Sequence, residues 1–232
     1  DHYLLNGTKV FITHGEYADV VNLIARTGPD KGNRGLSAFI VEKGTPGFSI
    51  GKREDKMGLR ASNTVELVFD DCRVPADNLV GRPGQGFKIA MSALDSGRIG
   101  IASQAVGIAR ACIQEAAAYA RERRQFGRTV ASFQATQFSL ADMATEIEEA
   151  RQMVWHAAAL RDAGQPCLKE ASMAKLFATE MAERVCSAAI QVHGGYGYVT
   201  DFPVERIYRD VRVCQIYEGT SDVQKIIITR AL

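Results

Sequence analysis

The segment Ile216–Asp222 contains a glutamate that could act as a general base. Glu218 lies just before a predicted helix whose N-cap is Thr220 or Ser221. The first backbone N–H groups of a helix have no partners within the helix, so the carboxylate lies beside free donors. Alone, this pattern is more typical of an acidic side chain that only stabilises a helix start through the helix dipole.

Three further segments carry residue types that bind anionic or ring-bearing ligands. Gln191–Gly195 ends a predicted helix in two glycines, where a backbone can approach a ligand closely. Arg123–Gly127 places a cation and an aromatic ring at a helix end, and Phe133–Gln137 places two amides at the next helix start. Each pattern is common by itself, because an arginine in a loop is usually just solvated. A functional interpretation therefore depends on the set.

Residues 1 to about 80 have the pattern of an antiparallel β domain. Short runs rich in β-branched and aromatic residues alternate with turn sequences, and no long helical pattern intervenes. Antiparallel pairing therefore fits better than a parallel βαβ sheet. The predicted strands are Tyr3–Leu5, Val10–Thr13, Val20–Thr27, Ser37–Val41 and Val65–Phe69, and the predicted turns are Asn6-Gly7, Gly28–Asp30, Gly32-Asn33 and Gly44–Gly47.

The second part of the chain predicts an antiparallel helical bundle. Apolar residues recur at helical spacing in three long stretches, and two shorter stretches follow. The predicted helices cover Ile101–Ala116, the residues between Ser132 and Gly164, Ala171–Val192, Glu205–Val211 and Ser221–Ala231. We therefore predict an α+β chain with two domains, 1–82 and 83–232, in which Gly81–Gly86 is a flexible joint.

Composition argues against several classes of protein. The 232 residues include 28 basic and 27 acidic side chains, and this balance gives no electrostatic footprint for nucleic acid or for an anionic membrane. No apolar run approaches the roughly 20 residues of a membrane span. The five cysteines are scattered and form no C-x-x-C pair, so we expect neither a metal site nor a disulfide framework. A reducing compartment fits best.

Taken together and in order, these segments resemble the acyl-CoA dehydrogenase family, and closely its short-chain and branched-short-chain members. The resemblance runs from Tyr3 to Leu232 without a gap. Each marker alone is a modest signal, but the ordered set is highly specific. The markers are Phe11-Ile12-Thr13, Lys56–Arg60, Arg123-x-x-Phe126-Gly127, Gln191–Gly195, Arg209-Asp210 and Tyr217–Thr220.

The resemblance implies a flavoenzyme that converts a short-chain or branched short-chain acyl-CoA to the 2,3-enoyl-CoA. Glu218 would abstract the α-proton, the β-hydrogen would pass as hydride to N5 of FAD, and an electron-transfer flavoprotein would take the electrons. The implied assembly is a homotetramer built as a dimer of dimers. The implied location is the bacterial cytoplasm or the mitochondrial matrix, in fatty acid or branched-chain amino acid catabolism.

The resemblance also assigns residues to two binding sites. Phe11 and Thr13 match a strand that packs on the isoalloxazine ring, and Arg123 matches an arginine that reaches the FAD pyrophosphate across the dimer interface. The residues implied to bind FAD are Phe11, Ile12, Thr13, Arg123, Phe126, Gln134, Gln191, Val192, His193, Gly194, Gly195, Thr220, Ser221 and Asp222. The residues implied to line the acyl-CoA site are Asp95, Ser96, Gly97, Arg98, Tyr217 and Gly219.

The position of the base separates groups within the family. Some members carry it on the helix that here contains Asp95–Arg98, at the position of Gly97. Glycine cannot act as a base and Glu218 is present, so the sequence fits the arrangement with the base in the loop. This argues against an isovaleryl-type enzyme.

Other functions stay open with less support. An acyl-CoA oxidase would share the base and the flavin but pass electrons to oxygen. A nitroalkane oxidase would have Asp in place of Glu218, and a DNA-binding relative of the fold would need a more basic surface than the net charge of +1 provides. A purely structural helical protein would leave the ordered motifs unexplained.

The sequence opens at Asp1 without an initiator Met. Because members of the family begin with a helical domain, we expect this chain to be a fragment that lacks it. That domain supplies part of the acyl pocket, so the length and branching of the acyl chain stay open.

Overall fold

The structure, a computed structural model, describes residues 1–29 and 32–232. It divides into two compact units, Asp1–Ala93 and Leu94–Leu232. Strands dominate the first unit and helices the second, so the predicted α+β fold class is confirmed. The predicted domain boundary after residue 82 stays a prediction.

The first unit contains two antiparallel sheets whose inward faces form one apolar core. Their strand orders are β1-β5-β4 and β2-β3-β6. On β5, Val65, Leu67 and Phe69 alternate with more exposed residues, as a strand with one buried face requires. The strands are β1 His2–Thr13, β2 Val20–Arg26, β3 Leu36–Glu42, β4 Phe48–Arg53, β5 Thr64–Pro75 and β6 Leu79–Val80.

The predicted turn at Asn6-Gly7 is wrong, because these residues form a bulge inside β1. The pairing of β1 with β5 shifts register between Leu5 and Gly7. Asn6 Oδ1 accepts the backbone N–H of Asp71 at 2.8 Å, and Asn6 Nδ2 donates to Asp71 Oδ1 at 3.1 Å. The asparagine side chain replaces the lost ladder bonds, so the two strands predicted around it are one continuous strand.

Two of the other predicted turns can be compared with the structure. Gly44–Gly47 connects β3 to β4, a strand that the sequence analysis missed. Gly32-Asn33 opens a short 3₁₀ helix, Asn33–Gly35. Asp30 of the predicted turn Gly28–Asp30 lies outside the described residues.

The segment Gly81–Gly86 is anchored to β3. The backbone N–H of Gly84 donates to Ser37 Oγ at 3.0 Å. A Cβ on Gly86 would lie 2.8 Å from Cα of Ser37, so only glycine fits there. The segment therefore packs on the β unit instead of running free between the two patterns.

The second unit is a helical bundle with an alanine-rich core. Glu146 and Arg184 form an ion pair at 2.6 Å, sixteen residues before the end of α2 and sixteen after the start of α3, so these two helices run antiparallel. Small side chains such as Ala109, Ala178 and Ala182 are fully buried between the helices. The elements are α1 Gly86–Glu122, β7 Arg124–Gln125, β8 Arg128–Thr129, α2 Gln134–Asp162, α3 Leu168–His193, α4 Val204–Val211 and α5 Ser221–Arg230.

Within the described ranges, the structure holds no helix with the length and apolar character needed to cross a membrane. The same part of the chain contains no cluster of three or more His, Cys, Asp or Glu side chains that could hold a metal ion.

Two glycines in the β3–β4 connection make a matched test of the fold. Gly44 and Gly47 have φ values of 86° and 84°, but a Cβ on Gly44 would meet nothing, whereas one on Gly47 would lie 2.7 Å from Cα of Cys72. We expect Gly44→Ala to lower the free energy of unfolding by about 1 kcal/mol, the penalty for left-handed backbone. Gly47→Ala should lower it by roughly 1 to 3 kcal/mol more, because the β5 backbone must move.

Chemical denaturation followed by circular dichroism measures both variants of this pair. Equal destabilisation of the two variants would contradict the steric argument.

Candidate active site

Glu218 occupies a strained position in the loop of residues 216–220, which we call the Glu218 loop. It joins the short 3₁₀ helix Arg212–Gln215 to α5. The φ angle of Glu218 is 55°, and that of Gly219 is 92°. A residue with a side chain costs about 1 to 2 kcal/mol in left-handed backbone, so surrounding contacts must hold it there.

Two buried side chains hold this backbone through its carbonyl groups. Gln224 of α5 donates from Nε2 to the carbonyl of Glu218 at 3.2 Å and to that of Gly219 at 3.0 Å. Lys175 of α3 donates from Nζ to the carbonyl of Gly219 at 2.8 Å. Both donors come from fully buried residues. The loop is therefore fixed from the interior of the bundle.

The start of α5 follows directly on this loop. Thr220 is the N-cap, and its hydroxyl accepts the backbone N–H of Val223 at 3.4 Å. Ser221 is the first helical residue, and Asp222 is exposed, 3.9 Å from Lys225. Of the two N-caps that the sequence allows, the structure selects Thr220.

The carboxylate of Glu218 lies against α1 at Gly97. A Cβ on Gly97 would be 2.8 Å from Cδ of Glu218. Oε2 of Glu218 is buried and has no hydrogen-bond partner among the described residues. A buried carboxylate oxygen without a donor is destabilised unless a ligand supplies one, and it is free to accept a proton.

The α1 residues around Gly97 and the aromatic ring of the loop complete the cluster. Arg98 is 3% exposed and donates from Nη1 to Asp95 at 2.7 Å. Tyr217 donates from its hydroxyl to Oε1 of Gln104 at 2.9 Å, and burial raises the pKa of this phenol. The structure thus brings the predicted residues Asp95–Arg98 together with Tyr217–Gly219, and Ser96 lies half-buried among them on α1.

Lys175, beside the Glu218 loop, has a perturbed pKa. The pKa falls from 10.5 to about 8, mainly because the side chain is buried, and the charge of Arg98 acts in the same direction. The nearby groups of Cys214 and Glu218 act in the opposite direction and favour the ammonium form. Desolvation is the larger effect.

A second group of predicted residues lines a cavity of about 610 Å³, which we call the Arg123 cavity. Its walls include Arg123, Gln191–Gly195 and the aromatic rings of Tyr119 and Tyr196. The guanidinium of Arg123 lies 5.2 Å from the ring centre of Tyr196. Gly194 ends α3 with φ 60°, and a Cβ on it would meet nothing within 4 Å. The cavity therefore offers a cation and an open backbone.

His193 adds a polar group to the Arg123 cavity. Its ring stacks on that of Tyr119 at 4.3 Å, and Nδ1 lies 2.8 Å from the carbonyl of Ala189. Since a carbonyl only accepts, Nδ1 carries the proton and Nε2 of a neutral ring is an acceptor. Nε2 is buried without a partner in the described part of the chain. A hydroxyl or amine donor of a ligand would satisfy Nε2, and the cation of Arg123 suits a phosphate, so these residues fit a dinucleotide.

The remaining predicted residues lie on exposed surfaces. Phe11 on β1 has φ 58° and is 70% exposed, Thr13 is also exposed, and Ile12 between them packs on the β core. Phe126 is 92% exposed at the β7–β8 turn, where it contacts Phe133 edge to face. Gln134 is the exposed first residue of α2. Exposed aromatic faces of this kind are available for stacking.

The side chains that hold the Glu218 loop and complete the walls of the Arg123 cavity were not predicted from the sequence. One signal was present for Lys175, because it interrupts the alanine stripe between Ala171 and Ala178 on the buried face of α3. A charged residue at such a position needs a buried partner. The missed residues are Gln104, Lys175 and Gln224 around the Glu218 loop, and Tyr119, Gln125 and Tyr196 in the Arg123 cavity.

Comparison with known proteins gives matches along nearly the whole chain. Two family models match, the acyl-CoA dehydrogenase middle domain over residues 1–72 and the acyl-CoA dehydrogenase C-terminal domain over residues 84–232. The chain is similar to an acyl-CoA dehydrogenase of Bacillus subtilis (strain 168), with 56% identity over 230 residues that cover 99% of this chain and 61% of the relative.

Solved structures are similar over the same extent. The structure of butyryl-CoA dehydrogenase from Megasphaera elsdenii matches at 50% identity and a TM-score of 0.97, covering 99% of this chain and 60% of that one. A chain in a structure described as the electron transferring flavoprotein of Acidaminococcus fermentans matches at 53% identity and a TM-score of 0.98, covering 100% and 61%. This chain therefore spans about three-fifths of the length of these proteins.

The perturbed Lys175 predicts a pH-dependent stability. Lys175 releases its proton at about pH 8 in the folded protein and at 10.5 when unfolded. Between these values the unfolded chain binds more protons, so this group makes the free energy of unfolding rise with pH. The contribution is fully present above 10.5 and is lost as the pH falls through about 8. The variant Lys175→Met lacks this pH-dependent contribution to the free energy of unfolding.

We therefore expect wild type to gain free energy of unfolding relative to Lys175→Met as the pH rises from about 8 to 10.5. Urea titrations at several pH values measure the difference. Lys169→Met, on the same helix and partly exposed, serves as the control. A difference that stays constant with pH would show that Lys175 keeps an ordinary pKa.

Proposed function

Because the chain belongs to the acyl-CoA dehydrogenase family, we propose that it carries the catalytic base and most of the cofactor contacts of an enzyme that oxidises a short-chain acyl-CoA to the 2,3-enoyl-CoA. The observation that carries this proposal is the buried Oε2 of Glu218 beside Gly97, which has no hydrogen-bond partner within residues 1–29 and 32–232. The likeness to butyryl-CoA dehydrogenase from Megasphaera elsdenii supports a short acyl chain. The proposed substrates also include acyl-CoA thioesters with a branched short acyl chain.

In the proposed mechanism, Glu218 accepts the α-proton of the thioester. The α C–H bond is a weak acid, so negative charge that develops on the thioester oxygen must be stabilised as the proton leaves. The backbone N–H of Glu218 supplies a donor for this oxygen. The fixed carbonyls of Glu218 and Gly219 keep that N–H in place while the reaction proceeds. Asp95–Arg98, Tyr217 and Gly219 line the acyl-CoA site.

FAD is the cofactor that the proposal requires, and it supplies a two-electron acceptor for the β-hydrogen when bound. In the proposal, Phe11, Ile12 and Thr13 form the surface for its ring system. Residues of a neighbouring subunit would hold its pyrophosphate, and Thr220, Ser221 and Asp222 at the start of α5 would also contact it. The residues proposed to act across the interface are Arg123, Phe126, Gln134, Gln191, Val192, His193, Gly194 and Gly195.

This arrangement requires an oligomer, and we propose a homotetramer built as a dimer of dimers. We also propose that an electron-transfer flavoprotein reoxidises the cofactor. A chain that is 53% identical to this one occurs in a structure described as the electron transferring flavoprotein of Acidaminococcus fermentans, which supports this partner.

The first test removes the charge of the base. We expect Glu218→Gln to retain FAD and to lose turnover by on the order of 100-fold or more, because the amide cannot accept the proton. Bleaching of the flavin by butyryl-CoA without oxygen measures the step directly. Glu149→Gln, an exposed carboxylate on α2, is the matched control and should bleach normally. Undiminished bleaching in Glu218→Gln would overturn the assignment.

The second test concerns the Arg123 cavity. Arg123→Gln removes the cation proposed to meet the pyrophosphate, and a hydrogen bond to a charged group contributes about 1.5 to 3 kcal/mol. We expect FAD affinity to fall by roughly 10-fold to 100-fold. Flavin absorbance per protein and the fluorescence of released FAD measure it. Arg121→Gln, an exposed neighbour at the end of α1, should leave FAD binding unchanged, and equal loss in both variants would contradict a specific contact.

A further inference from the structure

Lys175 is a fully buried lysine in the alanine-rich core of the bundle. Its neighbours along the buried face of α3, Ala171 and Ala178, are also fully buried. A lysine in such surroundings loses most of its hydration, which is a large energetic penalty. An apolar residue would serve packing better. The position therefore calls for a role beyond the stability of the core.

The contacts of Lys175 point to the backbone of the Glu218 loop. Nζ donates to the carbonyl of Gly219 at 2.8 Å, and Gln224 donates to the same carbonyl at 3.0 Å. Thr179, one turn further along α3, donates its hydroxyl to the backbone carbonyl of Lys175 at 2.9 Å. The lysine thus reaches from α3 to the peptide between Gly219 and Thr220, and the carbonyl oxygen of Gly219 accepts two hydrogen bonds.

The charged and titratable groups around Lys175 come from each neighbouring element. Glu218 lies in the loop, Cys214 in the 3₁₀ helix before it, Arg98 on α1, and Glu180 on α3 itself. The groups of Glu218, Cys214 and Glu180 favour the ammonium form and Arg98 disfavours it, while α5 contributes the neutral Gln224. The protonation of Lys175 therefore depends on charged groups in and around the Glu218 loop.

We propose that Lys175 is a positioning residue for the base, and that its ammonium group, bound to the carbonyl of Gly219, holds the left-handed backbone of Glu218 in the orientation needed for proton abstraction. This inference rests on the proposed function of Glu218. Lys175 does not touch the substrate in this role. It acts only through the peptide bond between Gly219 and Thr220, while Gln224 holds the same segment as a neutral donor.

The proposal has a consequence for pH dependence. A hydrogen bond from an ammonium group is stronger than one from a neutral amine. As the pH rises through about 8, the folded protein loses this charge, so the loop is held less firmly and kcat falls. We expect the Michaelis constant to change less than kcat, because the proposed acyl-CoA contacts of Asp95–Arg98 lie on α1 and do not depend on the loop. A residue that only stabilised the fold would produce no such limb in the rate profile.

The experiment measures kcat and KM for butyryl-CoA against pH in the full chain loaded with FAD. Three variants are compared with wild type: Lys175→Met, which removes donor and charge; Lys175→Gln, which keeps a donor; and Gln224→Met, which removes the neutral donor. We expect Lys175→Met to lower kcat by roughly 10-fold to 100-fold, with KM within about 3-fold. Lys175→Gln should recover part of this loss but lack the alkaline limb, and Gln224→Met should lower kcat and keep the limb.

Exchange of the substrate's α-hydrogens with ²H₂O supplies a second readout that does not depend on net oxidation. It should fall in parallel with kcat in the Lys175 variants. Lys169→Met is the control for removal of a positive charge from α3 and should leave the rate, the exchange and the pH profile unchanged. If circular dichroism and the melting temperature show that Lys175→Met does not fold, the kcat of Lys175→Gln and the dependence of the wild-type kcat on pH test the proposal.

Three outcomes overturn the proposal. One is a wild-type kcat without a decline between about pH 7 and pH 9, around the lowered pKa of Lys175. Another is a Lys175 variant that keeps the wild-type rate and profile. The third is a loss of rate in Lys175→Gln with the limb intact. In all three, loss of turnover in Glu218→Gln would show that the proposed base stands and only the role of Lys175 is wrong. Full activity of Glu218→Gln would overturn both.

Discussion

The carbonyl of Gly219 accepts hydrogen bonds from two fully buried side chains, Lys175 and Gln224, and the candidate site depends on this arrangement. Glu218 is held at φ 55°, a conformation that a residue with a side chain leaves unless its surroundings prevent it. The loop lies where neighbouring helices can supply donors from the interior, so its strain is balanced by contacts that the helices fix in place. Gly219 completes the arrangement, since a Cβ there would lie 2.6 Å from Nε2 of Gln224.

This constraint explains why Lys175 and Gln224 lie in a core that consists mostly of apolar side chains. Two apolar residues at 175 and 224 would pack well but would leave the carbonyls of Glu218 and Gly219 without these donors. An unsatisfied buried carbonyl costs about 1 to 3 kcal/mol, and the left-handed backbone would then relax. A desolvated lysine lowers the stability of the bundle, but its hydrogen bond holds the backbone of the Glu218 loop. Core packing thus favours an apolar residue at 175, whereas the geometry of the proposed base favours the lysine that is present.

The sequence predicts most of the fold because its periodicities are local. Runs of β-branched and aromatic residues predict the strands around Leu23 and Phe39, and helical spacing predicts α2 and α3 close to their observed ends. The prediction from sequence fails where a side chain replaces backbone pairing. At Asn6 the side-chain amide bonds to β5, so the predicted turn is a bulge within one strand. The partners of the Glu218 loop were missed for a related reason. The contact between Lys175 and Gly219 spans 44 residues, and no local pattern reports which carbonyl a buried lysine meets.

The relation between Gly97 and Glu218 gives a physical basis for locating the proposed base from the sequence. The space beside Gly97 is filled by the carboxylate of Glu218, and even a Cβ on residue 97 would lie 2.8 Å from its Cδ. A side chain at 97 and a glutamate at 218 in this rotamer therefore exclude each other. A carboxylate can approach this part of the site from α1 or from the loop, but not from both. Glycine at one position is thus a steric requirement of glutamate at the other, and the two residues have to be considered as a pair.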